Sequence, residues 1–373
     1  MATSETNTAL EKGLKTKLRI DLFDNVKALL IIFVVMAHLT DSMLLVNKSH
    51  TITTLGVWLN TFAMPAFFFS SGIFAQRSAP SKRRAYRAEK PLFFFLLYLV
   101  FYCANTFWKS LFPGGSSVFN PLRTDTLPWY LLVMTIYMLL VPFLDRVRPW
   151  IALTASVVLG LLVGFYVKDV NLFAIGRTLV FAPYFIAGFY LTSGRLMKIR
   201  ERIIPDGSSR RLIRTGATLL FIAWFGILYS LPTKLALTIR WLTTGIHPFA
   251  EIVKKYSYPL SSIVMSRLGC YLVGVAITAL VFIMMPRGKV FFTYIGQRSL
   301  QVYILHAFVY STMRLLHVES SMLLVTRWWT FSPLLIAPIL ASVLALPKFP
   351  DRWFRNLEKA CRQLLRSEEA STG

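Results

Sequence analysis

In the stretch NVKALLIIFVVMAHLTD, residues 25–41, two ionisable side chains interrupt an otherwise aliphatic run: Lys27 and, eleven positions later, His38. At 3.6 residues per helical turn both project from one face, about 16 Å apart in height. Asp41 follows His38 at i+3, within reach on that face, and Asp24 precedes Lys27 by the same interval. A second pair, Arg298 and His306 in QRSLQVYILH, is spaced eight apart and so shares nearly one helical stripe. An imidazole titrating near neutrality can take and return a proton, and a cation can hold phosphate or carboxylate. Lys27 also has an ordinary explanation, snorkelling or pairing with Asp24, and His306 has one as interhelical glue. Two ionisable groups on one apolar stripe are nevertheless costly in lipid and mark a site. They do not by themselves name a reaction.

The elements that must position these groups are transmembrane helices. A chain of 373 residues that is 55% hydrophobic and 16% charged, with mean hydropathy +0.56, is too apolar for a soluble domain. Its apolar runs are continuous rather than alternating, which excludes a β-barrel. The expected fold is all-α, with ten spans at 22–46, 52–76, 91–111, 128–144, 150–167, 175–192, 213–231, 267–285, 290–312 and 324–346. Most of the 41 Lys and Arg then gather on one side, in SKRRAYRAEK, in GRLMKIRERIIPDGSSRRLIR and in the tail beyond Lys348, which places both termini in the cytoplasm. Residues 1–21 read as a cytoplasmic tail without a signal peptide, 22–346 as one membrane domain, and 347–373 as a basic cytoplasmic tail. The segment 232–266, rich in aromatics, reads as a folded outer flap able to cover an external site.

The net charge of +24 is spread over short loops against apolar helices, so it points to topology and anionic membrane lipid and excludes nucleic acid. The three cysteines, Cys103, Cys270 and Cys361, have neither disulfide nor zinc spacing, and no metal is expected. Ser70 and Ser71 read as small packing residues, and His50, His247 and His317 as solvated loop histidines. Paired glycosidase carboxylates, a phosphate-cradling glycine loop and a serine-hydrolase elbow are absent from the sequence.

DNVKALLIIFVVMAH resembles the first-helix signature of the acyltransferase 3 family of membrane O-acyltransferases, a basic residue followed after ten positions by histidine; Lys27 and His38 fill it. FAMPAFFFSSGIF, LPWYLLVMTIY, FAPYFIAGFYL and YIGQRSLQVYILH resemble further family segments in the same order. The likeness spans most of the chain and is strongest to the fucose 4-O-acetylase-like branch of sugar acetylases. Ala63 stands where many relatives carry histidine, and Arg84 with Arg87 reproduces an Arg-x-x-Arg spacing that positive-inside anchoring explains equally well.

The resemblance implies acyl transfer, with acetyl as the expected group, from cytoplasmic acyl-CoA to a hydroxyl of a glycan or other envelope-associated acceptor, in the bacterial cytoplasmic membrane. Under it His38 is the expected general base, with Asp41 orienting it and His306 sharing in catalysis. Lys27, Arg84 and Arg87 are the expected holders of the coenzyme phosphates, and Arg298 and Asp24 of the acceptor. The alternatives from the sequence are a secondary transporter, or a carrier that passes the acyl group to a separate external transferase. The sequence leaves the oligomeric state open.

Overall fold

The computed structural model describes residues 2–46, 49–76, 79, 86–112, 119–123, 128–165, 170–205, 207 and 209–318, together with 331–372. The described residues form helices and no strand, with one isolated bridge between Arg123 and Leu172. In lipid the backbone must satisfy its hydrogen bonds internally, so the apolar runs become helices. In order these are α1 (Ala2–Val46), α2 (His50–Ala75), α3 (Glu89–Ser110), α4 (Trp129–Leu144), α5 (Pro149–Leu162), α6 (Ile175–Leu191), α7 (Ser193–Ile203) and α8 (Ser209–Ser230). Then follow α9 (Thr233–Thr244), α10 (Phe249–Tyr256), α11 (Leu260–Met284), α12 (Thr293–Gln297), α13 (Ser299–Leu315), α14 (Ser332–Leu344) and α15 (Phe349–Thr372).

Among the described residues five helices, α1, α2, α3, α8 and α11, are long and apolar enough to cross a membrane, six if the bent pair α6 and α7 is counted as one span. The expected ten spans therefore correspond to helices of unequal reach. Pro142 lies inside the 16-residue α4 and Pro338 inside the 13-residue α14, while the expected span 290–312 breaks at Arg298 into α12 and α13. Hydropathy registers all of these as apolar windows but does not register where a helix stops. The first part of the expected span 324–346 lies outside the described residues. α6 and α7 meet at 85° at Thr192, whose φ is +49° and whose hydroxyl caps α7.

α2 is the central element. It packs on α1, α6, α8, α9 and α11, and 83% of its apolar window is buried, against 17% for α8, which turns most of its surface outward. Its crossing with α6 is reciprocal. A Cβ on Gly72 would collide with the Phe185 carbonyl, and one on Gly188 with the Phe69 carbonyl, so two glycines let the backbones touch. α12 approaches α1 in the same way, with Gly296 against the backbone of Asp24.

Side chains that bond backbone carbonyls define one end of the molecule. Asn25 donates to Pro286 O at 3.0 Å and Gly288 O at 2.8 Å and accepts from the Thr293 hydroxyl at 2.6 Å, tying α1 to the loop before α12. Arg200 and Arg214 cap the last carbonyls of α11, Phe282 O and Met285 O for the former and Met284 O for the latter. Arg298 bonds Ala345 O and Asp351 and so joins the start of α13 to the end of α14 and the start of α15. Arg87 and Lys90 at the start of α3 each reach Glu358 of α15 at 2.9 Å. Lys27 shares this end. The opposite end holds the C-terminal turns of α1, α3 and α13, where Asn105 bonds Ser311 and Trp108 bonds Thr312, and where α9 rests on α2.

The expected outer flap, 232–266, is helical rather than a loop: α9, α10 and the first turns of α11 enclose their own small core of Leu242, Phe249, Ile252, Tyr256 and Ile263. His50 and His247, expected to be solvated, are both engaged. His50 contacts the Thr233 hydroxyl at 3.0 Å and Tyr229 O at 2.7 Å, and His247 stacks on Trp241 with ring centroids 3.7 Å apart.

Replacing Gly188 by Val is expected to lower stability by about 1–3 kcal/mol or to prevent folding, because the clash is with backbone that has no rotamer to yield. Gly194→Ala, with nothing within 4 Å of its Cβ, is the control. Thermal unfolding in detergent measures both; equal melting temperatures for the two variants would contradict the packing of α2 on α6.

Candidate active site

His38 and His306 meet inside the bundle. Their rings are 5.2 Å apart between centroids and inclined by 31°, joining the C-terminal part of α1 to the middle of α13. The meeting follows from local sequence. In α1 the run from Ile31 to Met36 is almost wholly buried against its neighbours, so the stripe carrying His38 faces protein. In α13, Val302, Tyr303, Ile304 and His306 are buried, with His306 only 1% exposed.

The two imidazoles are held differently. His306 Nδ1 lies 3.1 Å from Val302 O one turn earlier; a carbonyl only accepts, so Nδ1 carries the proton and Nε2 presents a lone pair. That Nε2 is buried and has no hydrogen-bond partner among the described residues. Such an atom costs free energy until a donor reaches it. The Tyr310 ring, one turn beyond His306, lies 5.2 Å from His38 and closes the pair from the outer side.

Asp41 stands one turn beyond His38 and is engaged from the flap: Arg240 Nη2 of α9 reaches its Oδ1 at 2.6 Å. The ion pair thus fixes the flap over the end of α1 that carries the imidazole. Ser42 beside it is buried, with a hydroxyl lacking a hydrogen-bond partner among the described residues. Arg314, in the last turn of α13, lies over the Tyr310 ring at 5.9 Å.

Toward the opposite end a line of polar side chains leaves the pair. Tyr303 is 5.6 Å from His306 and 5.3 Å from Tyr130 between ring centroids, and the Tyr130 hydroxyl is 2.9 Å from Ser71 Oγ. Ser71 itself donates to Phe67 O, so Tyr130 donates to Ser71. Three residues further along α2, the Phe74 ring lies 5.1 Å from Lys27 Nζ, which also pairs with Asp24 at 2.9 Å. Between Lys27 and His38, α2, α4 and α13 thus place a run of side chains, Phe74, Ser71, Tyr130 and Tyr303, that contains one hydroxyl–hydroxyl bond, Tyr130 to Ser71.

The other sequence candidates fall elsewhere. Asp24 holds Lys27 and is not beside the histidines. Arg298 is occupied by Asp351, Ala345 O and Leu346 O, a cap on the end of α14 far from His306 along α13. Arg87 lies in an ion-pair cluster with Glu89 and Glu358, joined by Arg362, that clips α15 to α3. Arg84 lies outside the described residues. Ser71 is more than a packing residue, since it is bonded to Tyr130, while Ser70 is buried. Arg240, Tyr130, Tyr303 and Tyr310 are the site residues that the sequence reading did not name. Tyr130 and Tyr303 stand within LPWYLLVMTIY and YIGQRSLQVYILH, so those segments carried a signal; Arg240, 199 residues from Asp41, had none. Among the described residues no group of three or more His, Cys, Asp or Glu side chains is placed to hold a metal ion.

The arrangement offers a buried proton acceptor, a carboxylate-anchored lid at one end, and a cation at the other. The family model described as an acyltransferase domain, that of the acyltransferase 3 family, matches residues 20–346, from before Lys27 to the end of α14. No curated protein and no solved structure matches the chain. The helices, the histidine pair within the matched region and the match itself agree: this chain belongs to the acyltransferase 3 family and is an integral membrane acyltransferase.

Proposed function

We propose that the protein transfers an acetyl group from acetyl-CoA to a hydroxyl of a glycan or other envelope-associated acceptor, in the manner of the sugar acetylase branch, with His38 as general base. The observation that carries the reading is the contact of His38 with the buried His306, whose Nε2 has no hydrogen-bond partner among the described residues. The attacking hydroxyl gives its proton to His38 as its oxygen bonds to the thioester carbonyl carbon; the C–S bond then breaks, and the proton passes to the departing thiolate. The products are an ester and the free thiol of coenzyme A. General-base assistance of this kind contributes roughly 10²–10⁴-fold. His306, with Nδ1 tied to Val302 O, offers Nε2 to a neighbouring hydroxyl of the acceptor and so orients the attacking one toward His38. Asp41 fixes the outer end of α1 through Arg240.

The donor enters from the end that carries Lys27. That end also carries Arg87, Lys90, Arg200, Arg214 and Arg298, so by the positive-inside tendency it faces the cytoplasm of a bacterial inner membrane, with both termini there. Lys27 meets the coenzyme phosphates, with Arg87 at the same end and Arg84, three positions earlier in the sequence, as its proposed partner. Arg87 already serves two carboxylates, so it holds phosphate only by sharing its guanidinium, and Lys27 carries the larger share. The pantetheine arm spans the remaining height, about 16 Å by helical rise, along the Ser71, Tyr130 and Tyr303 row.

Purified protein incubated with radiolabelled acetyl-CoA and a panel of sugars tests this. His38→Ala is expected to lose about 10²–10⁴-fold in kcat, whereas Lys27→Ala raises KM for acetyl-CoA more than it lowers kcat; undiminished transfer by His38→Ala would overturn the assignment. Arg240→Asp is expected to lower transfer, and the exchanged pair Asp41→Arg with Arg240→Asp to recover part of it, because the flap is again tied to α1. No recovery, with the exchanged protein folded, would show that Asp41 acts directly and not as the anchor of α9.

A further inference from the structure

Arg267 is a second intramembrane charge, apart from the site above. It lies two turns into α11, is 1% exposed, and is among the largest fully buried side chains of the protein. A buried guanidinium without a counter-charge costs several kcal/mol. The groups near enough to act on it electrostatically are Tyr271, Cys270 and Tyr184, none of them a carboxylate. Its Nη1 donates to Gly160 O in the last turn of α5 at 3.3 Å, and its guanidinium lies 5.1 Å from the centre of the Phe249 ring. A helix C-terminus supplies about half an elementary negative charge, and a ring face supplies less. The remaining positive charge has no carboxylate partner among the described residues.

The guanidinium lines a cavity between α2, α6, α9 and α11, bounded by Pro65, Phe181, Thr243 and Tyr271, with an accessible volume of about 10 Å³. Arg267 Nε and the Tyr271 hydroxyl are both buried and lack a hydrogen-bond partner among the described residues. Other polar groups there are already used: the Tyr184 hydroxyl donates to Cys270 O, and the Thr243 hydroxyl to Arg240 O. The Tyr271 oxygen is also an acceptor within reach of the guanidinium, so what remains is two donors, the Arg267 Nε–H and the Tyr271 O–H, around a space that holds one small atom or water. A water would satisfy the donors but leave the charge; a carboxylate or phosphate exceeds the space.

We propose that this cavity is a binding site for a single monatomic anion of the chloride class, held by Arg267 and Tyr271. Because Thr243 lines the cavity from α9, and Arg240 on the same helix grips Asp41, the anion secures the flap to the bundle core beneath it. Purified wild-type protein, unfolded thermally at constant ionic strength while chloride replaces gluconate, is expected to gain several degrees in a saturable manner, as any ligand of the native state produces. Arg267→Gln abolishes that response. Bromide in the crystal gives an anomalous peak beside Arg267 Nε in the wild type, which decides the matter if the variant does not fold. Identical melting in chloride and gluconate, or no bromide at Nε, overturns the proposal.

Discussion

The structure depends on keeping α1 and α13 in register so that two imidazoles, 5.2 Å apart, meet between the helices, with His306 fully buried. Neither helix achieves this by hydrophobic contact alone, since lipid is as good an apolar partner as another helix. Register comes from polar locks at one end. Asn25 pins α1 to the loop before α12, Gly296 lets α12 touch the α1 backbone, and Arg298 fixes the start of α13 to the end of α14. Each lock satisfies carbonyls that lipid would leave unpaired, so slipping the helices would expose them at a cost of a few kcal/mol apiece. At the other end the Arg240 and Asp41 pair does the same work from the flap.

This division explains why charged residues of similar intramembrane appearance have different fates. Arg298, Arg200 and Arg214 end helices by bonding their last carbonyls, so their charge is offset by the helix termini and their geometry is fixed. Lys27 ends nothing: it is paired with Asp24, partly exposed, and lies over the Phe74 ring one turn along α2 from Ser71. His306 sits between these extremes, with one nitrogen committed to the backbone and the other left for a ligand.

Much of the site was legible in the sequence because a helix converts spacing directly into direction. Lys27 with Asp24, His38 and Asp41 on α1, and His306 on α13, follow from that periodicity together with the cost of burying such groups. The contact of His38 with His306 was not legible, since spacing within one helix does not tell which face of another it meets. Arg298 shows the limit most clearly: its stripe is that of His306, but the break at residue 298 and the return of α14 turn it into a cap. The count of ten spans is not confirmed for a related reason: Pro142, Pro338 and the bend at Thr192 lie within or between apolar helices too short to qualify on length, without altering their hydropathy. The flap was legible as folded from its aromatic content, whereas its tie to Asp41 depends on a partner 199 residues away.

The most direct measurement is a structure of the protein bound to a non-hydrolysable acetyl-CoA analogue. The acyl carbonyl carbon is expected beside the His38 and His306 pair, where a hydroxyl held by His38 can reach it, with the pantetheine beside Tyr130 and Tyr303 and the phosphates at the Lys27 end. An analogue bound with its acyl group away from both imidazoles, or with its phosphates at the Arg240 end, would contradict it.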